Sequence, residues 1–258
     1  MTALIEFEQV AKSFATGGQM IAAIERVDLT VKRGEFVTLV GPSGCGKSTL
    51  LNMAAGLFEP TRGVVRYDGQ RVPRFNQRTG YMTQNDHLLP WRTVEDNIAI
   101  PLEIAGWPRK QMGERIGELI RMVGLGGFEK SYPVQLSGGM RKRCALARLL
   151  AYDPETLLLD EPFAALDAQL RLRMQMELLE ICHRLHKTVL FVTHDLDEAA
   201  ALADRVVVFS GRPGTIVSDV DSTLPRDRDV MNLRRDPAYI EFTAGLWDLL
   251  APAVEQAQ

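Results

Sequence analysis

The sequence is organised around one short stretch, Gly41-Pro42-Ser43-Gly44-Cys45-Gly46-Lys47-Ser48-Thr49, which matches the phosphate-loop pattern G-x-x-x-x-G-K-[ST] at every fixed position. The mostly apolar run at 35–40 predicts a buried strand before it, and residues 47–55 predict a helix after it. Glycines let backbone N–H groups converge on phosphate oxygens, and a helix N-terminus adds partial positive charge. The stretch therefore predicts a loop that binds a nucleotide.

Individual side chains of this loop have separate predicted roles. Lys47 is expected to contact the β- and γ-phosphates, Ser48 to offer its hydroxyl to Mg²⁺, and Thr49 to face the α-phosphate. Cys45 lies beside Lys47 at a helix N-terminus, where a thiol is either reactive or an ordinary loop residue shielded by nucleotide. The loop alone indicates a nucleotide and nothing about its use.

Composition excludes some classes of protein. The 258 residues carry a formal net charge of -3, which leaves no electrostatic footprint for nucleic acid, so none is expected as a partner. No apolar run is long enough to span a bilayer, and Glu6 stands where a secretory signal would be apolar, so a cytosolic protein is expected. The three cysteines have no metal-ligand spacing, and free thiols are expected.

Polar residues follow three predicted core strands. Residues 79–83 lead to Gln84, residues 156–159 to Asp160 and Glu161, and residues 188–193 to His194. In an α/β sheet, the carboxyl ends of parallel strands form the edge where ligands bind.

The chemistry of these residues suits a nucleotide bound at that edge. Asp160 is predicted to hold Mg²⁺, Glu161 to polarise an attacking water, and His194 to sense the γ-phosphate. In isolation an Asp-Glu pair would be a solvated strand end and a histidine would be structural. The preceding phosphate loop favours the functional interpretation.

A second helix start also suits an anion. Ser137 is predicted to cap a helix whose first turn contains Gly138 and Gly139, and backbone N–H groups at such an end favour negative charge. Asp167 is predicted to cap the next long helix, which runs through Leu185.

Two sets of apolar residues have two interpretations each. Phe14, predicted on the connection between two strands, either stacks on an adenine face or belongs to the core. Leu88, Leu89 and Trp91 either belong to the core or form a partner-docking patch. The residues alone leave both questions open.

Taken together, the motifs resemble the ATP-binding subunit of an ABC transporter over nearly the whole chain. The most specific of them is Leu136-Ser137-Gly138-Gly139, which is similar to the ABC signature and is absent from ordinary phosphate-loop kinases and GTPases. The resemblance implies ATP and Mg²⁺ as ligands. It assigns these roles: Phe14 stacks on adenine; Gly41 to Thr49 is Walker A, with Lys47 also catalytic; Gln84 is the Q-loop residue, in contact with the metal and the reaction; Asp160 and Glu161 are the Walker B aspartate and catalytic base; Asp167 belongs to the D-loop; His194 is the switch histidine.

The resemblance also implies a fold. It predicts an α/β P-loop NTPase (RecA-like) core with an antiparallel β subdomain and an inserted α-helical subdomain, all within a single domain of residues 1–258. Residues 1–84 and 153–223 would form the core lobe, residues 85–152 the helical subdomain, and residues 224–258 a linker and C-terminal helix.

The partners follow from the same resemblance. A second copy, or a homologous ATPase subunit, would face this one head to tail, so that Ser137, Gly138 and Gly139 close on the γ-phosphate held by the other subunit's Lys47. The region Gln84–Trp91 would contact a transmembrane permease, and a solute-binding protein would take part indirectly. The chain would then lie at the cytoplasmic face of the membrane.

Four further segments resemble nitrate, sulfonate and taurine-type importers: residues 87–97, Tyr132-Pro133, residues 160–163 and Arg212-Pro213-Gly214. The family pattern is departed from at Met140 and Lys142, where glutamine is common, and at Phe14, where tyrosine is common. The alternative function is a soluble ABC-type ATPase of DNA repair or translation, which usually has a long coiled-coil insertion or two cassettes. A regulatory module without turnover is disfavoured because Glu161 and His194 are present.

Overall fold

The computed structural model describes residues 2–164 and 166–255; Met1, Ala165 and residues 256–258, which the predicted domain ranges include, lie outside the described residues. The strands are β1 (Ala3–Thr16), β2 (Gln19–Lys32), β3 (Phe36–Val40), β4 (Arg62–Tyr67), β5 (Gln70–Arg71), β6 (Thr79–Met82), β7 (Thr156–Asp160), β8 (Thr188–Val192), β9 (Arg205–Phe209) and β10 (Gly214–Asp221). The helices are α1 (Lys47–Ala54), α2 (Val94–Ile104), α3 (Arg109–Met122), α4 (Gly138–Leu150), α5 (Ala168–Arg184), α6 (Leu196–Leu202) and α7 (Pro237–Glu255), with 3₁₀ turns at Pro133–Gln135 and Leu233–Arg235.

The strands of the described residues form one sheet in the order β5-β4-β1-β2-β10-β9-β3-β8-β7-β6. The five strands β9, β3, β8, β7 and β6 are parallel, whereas β5, β4, β1 and β2 are antiparallel neighbours. Between these parts, β10 pairs in parallel with β2 and antiparallel with β9. The predicted combination of a parallel core and an antiparallel β portion is confirmed.

Strand β3, which leads into the phosphate loop, is buried along its whole length. Its side chains alternate between two apolar clusters, with Phe36 and Val40 on one face of the sheet and Val37 and Leu39 on the other. A parallel strand covered on both faces needs such a continuous apolar run, because neither side meets water. This burial holds the start of the phosphate loop in place.

Three helices begin with a side-chain cap, and two of these caps, Ser137 and Asp167, were predicted from the sequence. Thr93, Ser137 and Asp167 each accept a hydrogen bond from a backbone N–H in the first turn of the helix that follows. The donor–acceptor distances are 3.3 Å to Asp96 N, 3.3 Å to Met140 N and 3.0 Å to Leu170 N. Each cap satisfies a backbone donor that lacks a partner within the helix.

The first hairpin is longer than predicted. Strand β1 continues to Thr16, so Phe14 lies within the strand, opposite Ile21 of β2, and its placement on a connection was wrong. The β1–β2 pairing contains register irregularities between Phe7 and Val10 and again between Val10 and Ser13. Such bulges interrupt the period-two alternation by which a strand is recognised in a sequence.

The division into lobes stays a prediction. Helices α2, α3 and α4 do occur between β6 and β7 in the chain. One apolar cluster nevertheless joins Ile98, Leu119 and Leu146 of these helices to Leu157 and Phe191 of the sheet. None of the helices in the described residues is long and apolar enough to cross a membrane.

One arginine ties the antiparallel and parallel strands together. The Arg205 guanidinium, on β9, pairs with Glu35 Oε1 at 2.8 Å and with Asp219 Oδ2 of β10 at 2.7 Å. It also donates to the carbonyl of Thr30 on β2. The Arg205 and Glu35 side chains are largely buried, so removing either would leave the other as a buried charge without its charged partner at this contact.

Strand β10 also braces the phosphate loop. A Cβ atom on Gly214 would lie 1.9 Å from the carbonyl oxygen of Cys45, a distance at which the backbones have to move apart. Glycine is therefore required here by close approach of two backbones.

We expect Gly214→Ala to lower the free energy of unfolding by about 1–3 kcal/mol, because overpacking displaces rigid backbone rather than a mobile side chain. ATP affinity should fall in the same variant, since the displaced peptide belongs to the phosphate loop. Urea unfolding and ATP titration measure the two effects.

The matched control is Gly113→Ala on α3, where a Cβ atom meets nothing within 4 Å. An alanine in an exposed helix interior should raise the free energy of unfolding by about 0.5–1 kcal/mol. Equal behaviour of the two variants would contradict the close approach of β10 to the loop.

Candidate nucleotide site

Register within the parallel strands brings the predicted site residues to one edge. Leu39 of β3 pairs with Val192 of β8, Phe191 of β8 with Leu159 of β7, and Leu159 with Met82 of β6. The phosphate loop, His194, the Asp160-Glu161 pair and Gln84 therefore follow neighbouring strand ends, as the sequence predicts for the ligand edge of an α/β sheet.

The phosphate loop has backbone that only glycine tolerates. Gly44 and Gly46 have φ of 78° and 101°, in the left-handed region. A Cβ atom on Gly46 would also lie 2.8 Å from the carbonyl oxygen of Ala23 on β2. Strand β2 thus packs directly against the loop, just before the first turn of α1.

Lys47 lies inside the loop. Its side chain is buried, with 5% of the residue exposed, and its ammonium donates to the carbonyl oxygens of Gly41 and Pro42 at 2.8 and 2.9 Å. The same nitrogen is 3.5 Å from Cys45 Sγ. The loop therefore holds a positive charge at its centre, surrounded by backbone groups.

The Ser48 hydroxyl and the Asp160 carboxylate lie next to each other. Ser48 Oγ donates to Asp160 Oδ1 at 3.0 Å, so the two predicted Mg²⁺ residues are in contact. Tyr81 donates to the other oxygen, Oδ2, at 3.4 Å. Burial, together with the neighbouring Glu161, raises the pKa of Asp160, although the hydrogen bonds from Ser48 and Tyr81 oppose the shift.

The Ser48 hydroxyl and the Asp160 carboxylate supply part of the set of oxygen ligands that Mg²⁺ prefers. Mg²⁺ prefers oxygen ligands and is commonly held by one or two protein groups with phosphate oxygens and waters. A hydroxyl and a carboxylate in contact meet that requirement. Within the described residues no cluster of three or more His, Cys, Asp or Glu side chains could hold a metal ion.

Glu161 and His194 form the next pair along the edge. Glu161 Oε2 lies 3.4 Å from His194 Nδ1. The backbone of Glu161 has φ of 45°, uncommon for a residue other than glycine, and its N–H donates to the carbonyl of Val192 at 2.9 Å. The Glu161 side chain is 25% exposed beside the largely exposed His194, so the carboxylate is accessible only in part.

Gln84 lies just beyond β6 with an exposed side chain. Its main-chain carbonyl accepts a hydrogen bond from Lys142 of α4. Sequence reasoning missed this contact and the Tyr81–Asp160 hydrogen bond. Neither leaves a signal in the sequence, since each joins residues far apart in the chain through one polar atom.

Phe14 lies near the opposite side of the loop. Its ring packs edge-on against Phe58, at 5.5 Å between centroids, and Lys12 Nζ lies 5.1 Å from its centroid. Strand β2 connects it to the loop, since Ile21 pairs with Phe14 and Ile24 touches Gly46. Phe14 is half-buried, so it keeps one accessible surface.

The structure does not bring the second helix start to this loop. The Ser137 hydroxyl accepts from the Met140 N–H of α4, and the Gly139 backbone packs against the Leu170 side chain of α5. A Cβ atom on Gly139 would lie 2.4 Å from Leu170. The side chain of Asp167 caps α5, so the starts of α4 and α5 form a separate surface with Gly138.

Leu88 and Trp91, which the sequence left open as core or docking residues, differ in burial. Leu88 is 8% exposed and belongs to the main apolar cluster, whereas Trp91 is 70% exposed. Ile104, at the end of α2, is 83% exposed and lines a groove with His87 and Pro101. An apolar groove therefore lies directly beside the segment that contains Gln84.

The three cysteines are free thiols, as predicted, and all are buried. Burial raises the pKa of Cys144 and of Cys182 to about 12. These two thiols are consequently core residues with no thiolate character at neutral pH.

Comparison with known proteins agrees with this geometry. The family model described as ABC transporter matches residues 24–164. The aliphatic sulfonates import ATP-binding protein of Bacillus cereus is 42% identical over 87% of this chain and 88% of its own length. The nitrate import ATP-binding protein of Synechocystis is 39% identical over 95% of this chain and 94% of its own.

A solved ATP-binding cassette, described as the dimeric structure of a post-hydrolysis state bound to ADP and Pi, superposes with a TM-score of 0.75 at 31% identity. The match covers 84% of this chain and 98% of that one. The phosphate-loop NTPase fold is thereby confirmed, and the chain belongs to the ABC transporter family.

Proposed function

We propose that this chain is the ATP-hydrolysing subunit of an importer that moves a small anionic solute through a separate permease. The observation that carries the proposal is the row of polar groups at one sheet edge, where the buried Lys47, the Ser48–Asp160 pair and the Glu161–His194 pair follow neighbouring strands. Family membership makes ATP the nucleotide.

The phosphate loop binds the phosphates of the nucleotide. Backbone N–H groups of residues 41–49 surround the phosphates, and Lys47 exchanges its contacts with Gly41 and Pro42 for phosphate oxygens. Ser48 and Asp160 would hold Mg²⁺, which supplies charge neutralisation at the phosphates. Phe14 would stack its accessible surface on adenine.

Hydrolysis needs a base that can reach water. The Glu161 carboxylate accepts the proton of the attacking water, and His194, 3.4 Å away, orients that carboxylate and contacts the γ-phosphate. Gln84, on the neighbouring strand end, completes the arrangement around the water. The exposed side chain of His194 leaves room for a second subunit to close over the pair.

The second anion-binding helix start supports a dimer. Ser137, Gly138, Gly139 and Asp167 lie together at the starts of α4 and α5, away from the phosphate loop of the same chain. A head-to-tail arrangement places them on the nucleotide of a second copy or a homologous subunit. The dimeric description of the matched cassette favours this arrangement.

The permease would dock in the apolar groove beside Gln84, which Ile104 lines, and on Trp91, which is exposed outside the groove lining. The chain would then be held at the cytoplasmic face of the membrane, with a solute-binding protein acting through the permease. The names of two relatives, sulfonate and nitrate importers, favour a small anion as the solute. A soluble ATPase of DNA repair or translation is not favoured by these relatives.

We expect Glu161→Gln to keep ATP binding and to cut turnover by about 10²–10⁴, the usual contribution of a positioned general base. Phosphate release and ATP titration measure the two quantities separately. Glu180→Gln, an exposed change on α5, is the control. Turnover equal to that of wild type would refute the assignment of the base.

We expect Lys47→Ala to weaken ATP binding by about 10–100-fold, because a charge-assisted hydrogen bond to phosphate is lost. Calorimetric titration measures the affinity, with the exposed Lys110→Ala of α3 as control. An unchanged ATP affinity would contradict the position of this cation among the phosphates.

We expect the double variant Trp91→Asp with Ile104→Asp to retain ATPase turnover and to lose permease association, since both side chains are exposed. The measurement is co-purification from detergent-solubilised membranes, with Trp247→Asp on α7 as the control for an exposed aromatic elsewhere. Recovery of an unchanged polytopic partner would place docking on another surface.

A further inference from the structure

Helix α4 presents three basic side chains to the residues that follow β6, here called the Gln84 segment (residues 84–87). Lys142 Nζ donates to the Gln84 carbonyl. Arg148 donates to the carbonyls of Asp86 and His87 at 2.6 and 2.7 Å. Arg141 Nε pairs with the Asp86 carboxylate at 3.3 Å. One helix thus holds the segment at three of its four residues.

Burial of the Lys142 ammonium at this contact costs desolvation free energy. The residue is 5% exposed, and burial lowers the pKa of its ammonium, an effect that the nearby Asp86 partly offsets. Among the residues that the structure describes, the Gln84 carbonyl is the hydrogen-bond acceptor of this nitrogen. An apolar side chain of similar length would avoid the desolvation penalty, so the cation contributes something other than burial.

Backbone strain adds to this observation. His87 has φ of 47°, in the left-handed region that residues with a Cβ atom adopt uncommonly. Arg148 holds the carbonyl of that residue. Contacts with α4 therefore help to hold this uncommon backbone conformation.

The same helix begins at the second anion-binding start. Arg141, which holds Asp86, also donates to the carbonyl of Leu136 at 2.8 Å, next to the cap residue Ser137. The groove lined by His87, Ile104 and Arg148 lies on the other side of the segment. The Gln84 segment is thus connected through side chains to both surfaces.

We propose that Lys142, with Arg141 and Arg148, is a positioning residue that fixes the main chain at Gln84 to α4 and so sets where the glutamine side chain lies for hydrolysis. This inference deepens the proposed function and rests on it.

The first test measures the segment without nucleotide, by amide hydrogen exchange of the full chain. The reporter is the Leu88 amide, which donates to Asp86 Oδ1 at 3.1 Å. We expect Lys142→Met to speed its exchange about tenfold or more, because a charge-assisted hydrogen bond is lost. Lys142→Gln keeps a donor and should have a smaller effect, and it serves if the methionine variant fails to fold.

The matched control is Arg143→Met, at the next position of α4, where the guanidinium faces Glu177 of α5 at 3.5 Å. It should leave exchange at Leu88 and ATP turnover within about twofold of wild type, since its contact is on another helix. An equal rise at Leu88 in both variants would mean general loosening of α4, and the proposal would be wrong.

The second test separates positioning from binding. We expect Lys142→Met to lower kcat about tenfold while the ATP dissociation constant stays within about twofold, with Lys142→Gln intermediate. Faster exchange at Leu88 with unchanged kcat would reduce Lys142 to a structural role and overturn the proposal. If wild type itself lacked ATP turnover, the proposed function would fail, while the exchange result would still decide whether Lys142 holds the segment.

Discussion

Hydrogen bonding between the parallel strands β3, β8, β7 and β6 determines where every polar group of the nucleotide site lies. Pairing of Leu39 with Val192 and of Leu159 with Met82 ends these strands at a common level. A slip of one residue in any pair would reverse the faces on which the side chains stand. The separation of charges at the site is therefore a property of the sheet rather than of the loops alone.

The charged groups of the site lie at the ends of neighbouring strands. Lys47 supplies a buried cation in the phosphate loop, while Asp160 lies in a partly desolvated position in contact with Ser48. Glu161 is the next residue, and with φ of 45° its carboxylate lies 3.4 Å from His194. Two adjacent carboxylates can thus have different environments, which metal binding and proton transfer both require.

Much of this arrangement could be predicted, because local patterns of residues determine it. The phosphate loop, the strand ends at Asp160 and His194, and the caps at Ser137 and Asp167 all depend on residues close together in the chain. Bulges in β1 interrupt the alternation of apolar and polar residues, so the full length of the first hairpin was not recognised and Phe14 was placed on a connection. The contacts of Tyr81 and Lys142 link distant residues through single atoms, and no periodicity reports them.

The buried guanidinium of Arg205 has a consequence for how this protein loses its structure. By joining β2, β9, β10 and the start of β3, it makes opening of the antiparallel strands inseparable from exposure of the strand that precedes the phosphate loop. Sub-global unfolding usually follows the boundaries between weakly connected units. Here that boundary does not fall between the two kinds of strand, so hairpin and nucleotide loop should melt in one cooperative step.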